Sequence, residues 1–418
     1  MAEFPDLLRR LKAGLNQVSM PRVYVAGSSG EPTQMLETLF SEPDAAEQLH
    51  FIQFPLPGIN QFDFTTLSQT TEHSVFFMSA ALKEASRERL HFIPIHMRRV
   101  YDYLLENPVD IALIQVALDR HGTLRVAANA DFVGAATASP ETTVVASLNE
   151  GFTAPTGAPR AEHVDYLLSG ATKIPVFPGA ASSANDLKLS SVEETIGAHV
   201  ASLIRDGDCL QTGIGSIPAA VLAALSDKND LGFHGGLIDD SVLRLIEQGV
   251  MTGNRKTQDP GLHVTGIVLG SEVLFEKLAQ RDDVLLVGAN RTHDSAVIAG
   301  IDNFVSINSA VQVDLLGQVN GEFAGGRQLS GTGGSVDFMR SARGSKGGRS
   351  IIALPATARG GSVSRIVAEV DRVTALRTDI DIVVTEFGIA DLRDQSLTER
   401  VQRLTAVAAP QFRSNLVP

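Results

Sequence analysis

The chain has 418 residues, too many for one ordinary hydrophobic core, so two or more domains are expected. An apolar fraction of 44%, a charged fraction of 20% and a net charge of −13 describe a soluble globular protein. They argue against a nucleic-acid partner or a hold on anionic lipid. The single cysteine, Cys209, excludes an intrachain disulfide and a cysteine-based zinc site, and within an apolar strand it reads as core. No apolar run reaches the length of a membrane span, and the N-terminus lacks a signal-peptide core. A cytoplasmic location with no membrane partner and no metal is the expectation.

Phe4 to Leu15 carries an apolar stripe and reads as a helix. Arg22 to Val25 reads as a first strand, ending in the turn Ala26-Gly27-Ser28-Ser29-Gly30, with Pro32 to Leu39 helical after it. The turn lacks the GxGxxG spacing of a dinucleotide site. Strand-like runs recur at Phe51 to Phe54, Val75 to Met78, Phe92 to Ile95, Ile111 to Leu118 and Val144 to Leu148. Ala80 to Glu88 and Met97 to Glu106 are helical between them. Continuous apolar strands alternating with helices indicate a mainly parallel sheet covered on both faces. Asp119 to Gly122 is a turn, with His121 a surface residue, and Gly151 to Arg160 is a Gly/Pro/Thr-rich loop. Pro175 to Asn185 has linker composition, which puts the domain boundary near Ser182–Leu189 and gives domains 1–185 and 186–418.

Ser191 to Leu203 is helical and leads into the stretch Asp208 to Asp240. There the strand Cys209 to Thr212 breaks into Gly213-Ile214-Gly215-Ser216, and Pro218 opens a helix, where its missing N–H does no harm. Glycines between strand end and helix start let backbone approach a ligand, and the free N–H groups suit an anion or a carbonyl oxygen. Further on, Val264 to Leu269, Val284 to Val287, Phe304 to Ile307, Ile351 to Leu354 and Ile380 to Val384 read as strands. Val242 to Gln248, Glu272 to Leu278, Val363 to Val367 and Leu397 to Leu404 read as helices. The second half thus repeats the α/β character of the first.

Ser330-Gly331-Thr332-Gly333-Gly334-Ser335 offers a second cradle of N–H groups, suited to a developing oxyanion or to phosphate. Arg327, Arg340, Arg343, Lys346, Arg349, Arg359 and Arg365 crowd the glycines around and after it. Such a local cation excess in an acidic chain suits an anionic ligand, a solvated face being the plainer alternative.

CLQTGIGSIPAAVL, SGTGGSVDFMRSA, KGGRSIIALPATA with SRIV after it, and VVTEFGIADLRDQSLTERVQRL leading to AAPQFR occur in that order. Together with weaker matches at FIPIHMRRV and DIALIQVALDRHG, they make the chain resemble the acetyl-CoA hydrolase/transferase family. The resemblance covers nearly the whole chain. It implies two similar open α/β domains with mainly parallel sheets and a CoA-ester site at their interface. Acyl-CoA and small carboxylates are the implied substrates, with no tightly bound cofactor; a homodimer is compatible with the acidic surface. The implied reaction moves CoA between carboxylic acids. A glutamate attacks the thioester, and an anhydride and then a glutamyl-CoA follow. Gln211, Gly213, Gly215, Gly236, Gly331, Gly333 and Gly334 are the implied CoA and oxyanion contacts.

The chain departs from the family at that glutamate. Where the family has His-Thr-Glu-Met and then Ser-Asp-Gly, this chain has Phe233-His234-Gly235-Gly236-Leu237 and then Asp239-Asp240-Ser241. His234 and Asp240 keep their places and Gly236 stands at the nucleophile's. Three readings follow: a carboxylate elsewhere, Asp239, Asp240 or Glu322; hydrolysis with His234 or an Asp activating water; or binding of the CoA ester without turnover. Glu386 in VVTEFG reads as a structural partner for an arginine.

Overall fold

The structure, a computed structural model, describes residues 3–173, 176 and 188–416. The linker Pro175–Asn185 and the boundary Ser182–Leu189 lie outside the described residues, Val176, Lys188 and Leu189 aside. The chain forms two compact units, Met1–Ser182 with Thr265–Asn290, and Ser183–Val264 with Arg291–Pro418.

In the first unit, β1 (Arg22–Val25), β2 (His50–Gln53), β3 (Glu72–Val75), β4 (Leu90–Phe92), β5 (Ile111–Leu118), β7 (Thr143–Asn149) and β8 (Tyr166–Ala171) form a parallel sheet in the order 4-3-2-1-5-7-8. The short β6 (Leu124–Val126) adds antiparallel to β5. Alternation along the strands divides the core. Val23, Val25, Ile111 and Leu113 pack with Phe4, Leu8, Leu36 and Leu39 of the helices Phe4–Gly14 and Thr33–Ser41. Tyr24, Ala112 and Ile114 face the other way, toward Val100 and Leu104 of Met97–Glu106. This is the two-sided burial that the apolar strands demanded.

A cut near 185 leaves out Thr265–Asn290, which clusters with the first unit. The reason is backbone pairing: Val268 N–H donates to Ala128 O (2.8 Å), Ala130 N–H to Gly266 O (2.8 Å) and Leu286 N–H to Gly157 O (3.0 Å).

In the second unit, β9 (Cys209–Thr212), β10 (Gly232–Phe233), β11 (Phe304–Asn308), β12 (Arg349–Ala353), β13 (Ile382–Thr385) and β14 (Gly388–Asp391) lie in the order 10-9-11-12-13-14. All are parallel except the edge strand β14. The chain goes outward from β9 to β10, then returns past β9 to β11. The order therefore reverses between β9 and β11, and a crevice forms beyond the carboxyl ends of strands at such a point.

Two helix expectations fail. Val363 to Val367 is two short strands, Val363–Ser364 and Ile366–Val367, because Arg365 N–H donates to Ala356 O and draws the segment into extended pairing. Ala80 to Glu88 holds only a single turn, Ala80–Leu82. The strands expected at Val75 to Met78 and Phe92 to Ile95 end at Val75 and Phe92; the apolar run continues into a loop where Phe76 is buried.

Candidate active site at the strand ends of the second unit

At the reversal point, three side chains form a closed polar floor. Ser306 Oγ donates to Gln211 Oε1 (2.8 Å), as does Asn308 Nδ2 (3.1 Å), and Gln211 Nε2 donates to Asn308 Oδ1 (3.3 Å). All three are buried, and the mutual bonds offset the cost of taking them from water. A methyl at Gly213 would lie 3.7 Å from Asn308 Oδ1, so the first glycine turn starts directly above this floor. Gly215 (φ 113°) caps the helix Ser216–Ala223 in a conformation that favours glycine.

His234 and Gly236 follow the end of β10 on the same edge. His234 is buried and donates from Nε2 to Thr292 O (3.1 Å), while its Nδ1 is sealed without a partner. Burial, with the nearby Lys256 charge adding to it, pushes its pKa down to about 4 and keeps the ring neutral. That bond pins the segment bearing His293. The His293 Nδ1 lies 2.7 Å from Thr292 Oγ1, and its ring leans on Phe338 with centroids 4.5 Å apart. A Cβ at position 236 would come within 3.2 Å of His293 Cε1 and Nε2. The imidazole therefore occupies the space into which a side chain at 236 would project. Nothing in the GANRTHDS segment marked His293 as more than a turn residue.

Phe338 sits in the helix Ser335–Gly344, which begins at the second glycine cradle. Gly333 has φ 55°, and Gly334 is the helix cap. Among the described residues, the backbone N–H groups of Gly331, Gly333 and Gly334 donate to no protein acceptor, leaving a row of donors for a ligand. Glu322 is buried and tied to this cradle. Its carboxylate accepts from Gln328 Nε2 (2.6 Å) and Thr374 Oγ1 (2.9 Å), and the same Gln328 amide donates to Ser330 O (3.0 Å).

The other expected residues separate. Asp240 is the first residue of the helix Asp240–Glu247, capped by Asp239, whose carboxylate accepts the N–H groups of Ser241 and Val242. Cys209 is core, its thiol pushed up to about 12 by burial. Glu386 accepts Ala356 N–H (2.8 Å), with Arg365 close enough to feel its charge. Of the cations, Arg340 pairs with Asp379, Arg343 with Asp381, Lys346 with Asp302, and the buried Arg349 with Asp208. Arg327 and Arg359 are exposed without an ion pair among the described residues. They flank one turn, Arg359 Nη2 lying 3.9 Å from where a Gly325 methyl would be. Among the described residues no group of His, Cys, Asp and Glu could hold a metal ion, and no helix is long and apolar enough to cross a membrane.

An open parallel sheet with a polar floor and glycine turn at its carboxyl edge, and unbonded N–H groups at a helix start, defines an α/β protein whose donors suit an anionic or carbonyl-bearing ligand. Comparison with known proteins makes the class specific. The acetyl-CoA hydrolase/transferase C-terminal domain profile matches residues 270–418. A 4-hydroxybutyrate coenzyme A transferase of Clostridium kluyveri is 35% identical over 95% of this chain and 92% of its own. An acetyl-CoA hydrolase of Yarrowia lipolytica is 30% identical over 50% of this chain and 39% of its own. The crystal structure of RipA from Yersinia pestis superposes with a TM-score of 0.87 at 28% identity, covering 99% of this chain and 97% of that one. The chain belongs to the acetyl-CoA hydrolase/transferase family.

Proposed function

We propose that the protein transfers CoA between small carboxylic acids by way of acyl-CoA thioesters. The observation that carries this is the near full-length match to a 4-hydroxybutyrate coenzyme A transferase. The cradle N–H groups suit the thioester oxyanion. Arg327 and Arg359 are the cations left for the phosphates of CoA. With glycine at 236, Glu322 is the carboxylate we assign to the nucleophile's part, because Gln328 ties it to Ser330 at the start of the cradle. His234, buried and bonded to Thr292 O, and Asp240, at its helix start, are assigned to positioning. We place the protein in the cytoplasm.

One observation favours a second reading, acyl-CoA hydrolysis: no carboxylate stands at position 236. Incubation with labelled acetyl-CoA, with and without butyrate, separates the two. Label exchange that needs the acceptor, with a borohydride-trapped carboxylate mapped by mass to Glu322, is the expected result. In Glu322→Gln the exchange and the adduct should both vanish. Acetate released equally without acceptor, and no adduct, would replace transfer by hydrolysis. Intact CoA ester under every condition would leave only binding.

A further inference from the structure

Acyl-CoA chemistry as assigned above gives His293 no task, yet its surroundings are those of a working group. Granting that reading of the site, we infer that His293 donates its Nε2–H to the thioester carbonyl oxygen as negative charge develops there, with Thr292 setting the tautomer.

Three observations converge. First, the ring is held by Thr292 Oγ1 at its Nδ1 and by Phe338 tilted against it, while His234 holds the Thr292 carbonyl beside it. A side chain held this firmly needs no reorganisation at the moment of reaction. Second, its far edge points at Gly236, a position with no side chain. Nε2 lies 3.2 Å from where a Gly236 Cβ would stand, and no hydrogen-bond partner for Nε2 is found among the described residues. The ring is 2% exposed and this nitrogen is not sealed, so a ligand oxygen can reach it and complete it. Third, Phe338 lies in the first turn of the helix whose start is the Gly333-Gly334 cradle, so Nε2 and the unbonded cradle N–H groups belong to neighbouring segments.

A donor fits better than a base. Burial, reinforced by the neighbouring His234, pushes the His293 pKa down to about 3, so the ring binds a proton poorly and stays neutral. A neutral imidazole can still donate from whichever nitrogen carries hydrogen. If the Thr292 hydroxyl donates to Nδ1, that hydrogen is on Nε2. No proton is transferred to or from the ring, so the assignment holds for transfer and for hydrolysis alike.

The test pairs turnover with a direct view of the ring. In long-range proton–nitrogen NMR of the full chain, His293 should show hydrogen on Nε2 and none on Nδ1, unchanged from pH 5 to 9. In His293→Leu, kcat on acetyl-CoA should fall about a hundredfold, the scale of one lost oxyanion donor, with KM within a few-fold of wild type. His293→Gln, which keeps an N–H, should retain more, and Thr292→Val should fall while Thr292→Ser does not. Hydrogen on Nδ1, titration near the ordinary imidazole value, or full turnover in folded His293→Leu would each overturn the assignment while leaving the acyl-CoA reading intact. Absence of turnover in the wild type across a series of acyl-CoAs would instead remove that reading, and the donor role with it.

Discussion

At position 236 the sequence and the packing around it can be compared directly. Resemblance places a carboxylate there, and the structure places an imidazole in the space it would need. Restoring the carboxylate by Gly236→Glu should therefore fail by itself. The new Cβ would crowd His293 at 3.2 Å, a contact that forces the ring or the backbone to give. Gly236→Glu should yield no adduct mapped to residue 236 by peptide mass, whereas Gly236→Glu combined with His293→Ala should yield one there. An adduct there in the single variant would show that the ring yields freely and that the packing argument is wrong. Gly333→Ala is the companion case in the cradle. At φ 55° an alanine carries a left-handed penalty of about 1 kcal/mol, so a small drop in unfolding midpoint should accompany weaker acetyl-CoA binding by calorimetry. Wild-type affinity would remove the cradle from the site.

Elements place these residues, and here sequence was informative to different degrees. The apolar strands at Cys209 to Thr212 and Ile111 to Leu118 were legible because full burial leaves an unbroken apolar run. β8 was not, because Tyr166–Ala171 is mostly exposed and carries no such run. Thr265–Asn290 could not be assigned to its unit, since the backbone hydrogen bonds, the Arg120–Asp282 pair and the Phe152–Phe275 contact that attach it join residues far apart in sequence. The glycine turns were visible as composition, but the Gln211–Ser306–Asn308 floor joins residues far apart in sequence. His293 was invisible for the same reason: its meaning lies in facing Gly236. Helix contact adds a prediction of its own. A methyl at Gly197 would stand 2.6 Å from Ala220 O, so the helix Ser191–Ala201 touches the backbone of Ser216–Ala223. Gly197→Ala should cost about 2 kcal/mol in urea unfolding, as overpacking does, and should weaken acetyl-CoA binding by displacing the helix that starts at Gly215. Unchanged stability would mean that the two helices can slide apart without loss.

Across the whole molecule, buried ionisable groups fix how stability responds to acid. His73, His234 and His293 are buried, with pKa values lowered to about 3, about 4 and about 3. Unfolded, they take up protons below the ordinary imidazole value of about 6.5, so each removes about 1.4 kcal/mol per pH unit as pH falls below it. Glu31 and Asp131 act in the opposite sense. Burial raises Glu31 to about 7 and Asp131 well above its ordinary value, so the folded state keeps protons that the unfolded state has lost, and stability returns as pH falls toward the ordinary carboxyl range. Between about pH 6.5 and 4.5, three losses oppose these two gains and a third from Asp239, raised to about 6 by burial, and the slope is shallow. Below that range the carboxyls are protonated in both states and cease to compensate. The histidines are then joined by carboxylates held low by their partners, Asp282 by Thr156 and Arg120 and Asp391 by Arg393, and stability should fall steeply. Urea midpoints at pH 7, 5.5 and 4 should trace this bend. His73 offers the cleanest control, since among the described residues both its buried ring nitrogens lack partners, and its ring packs T-shaped against Phe64. His73→Leu should be folded at pH 7 and lose less stability than wild type between pH 5.5 and 4. Equal losses in the two proteins would mean that the His73 proton is taken up in the folded state as readily as in the unfolded one, and that the acid limb is set elsewhere.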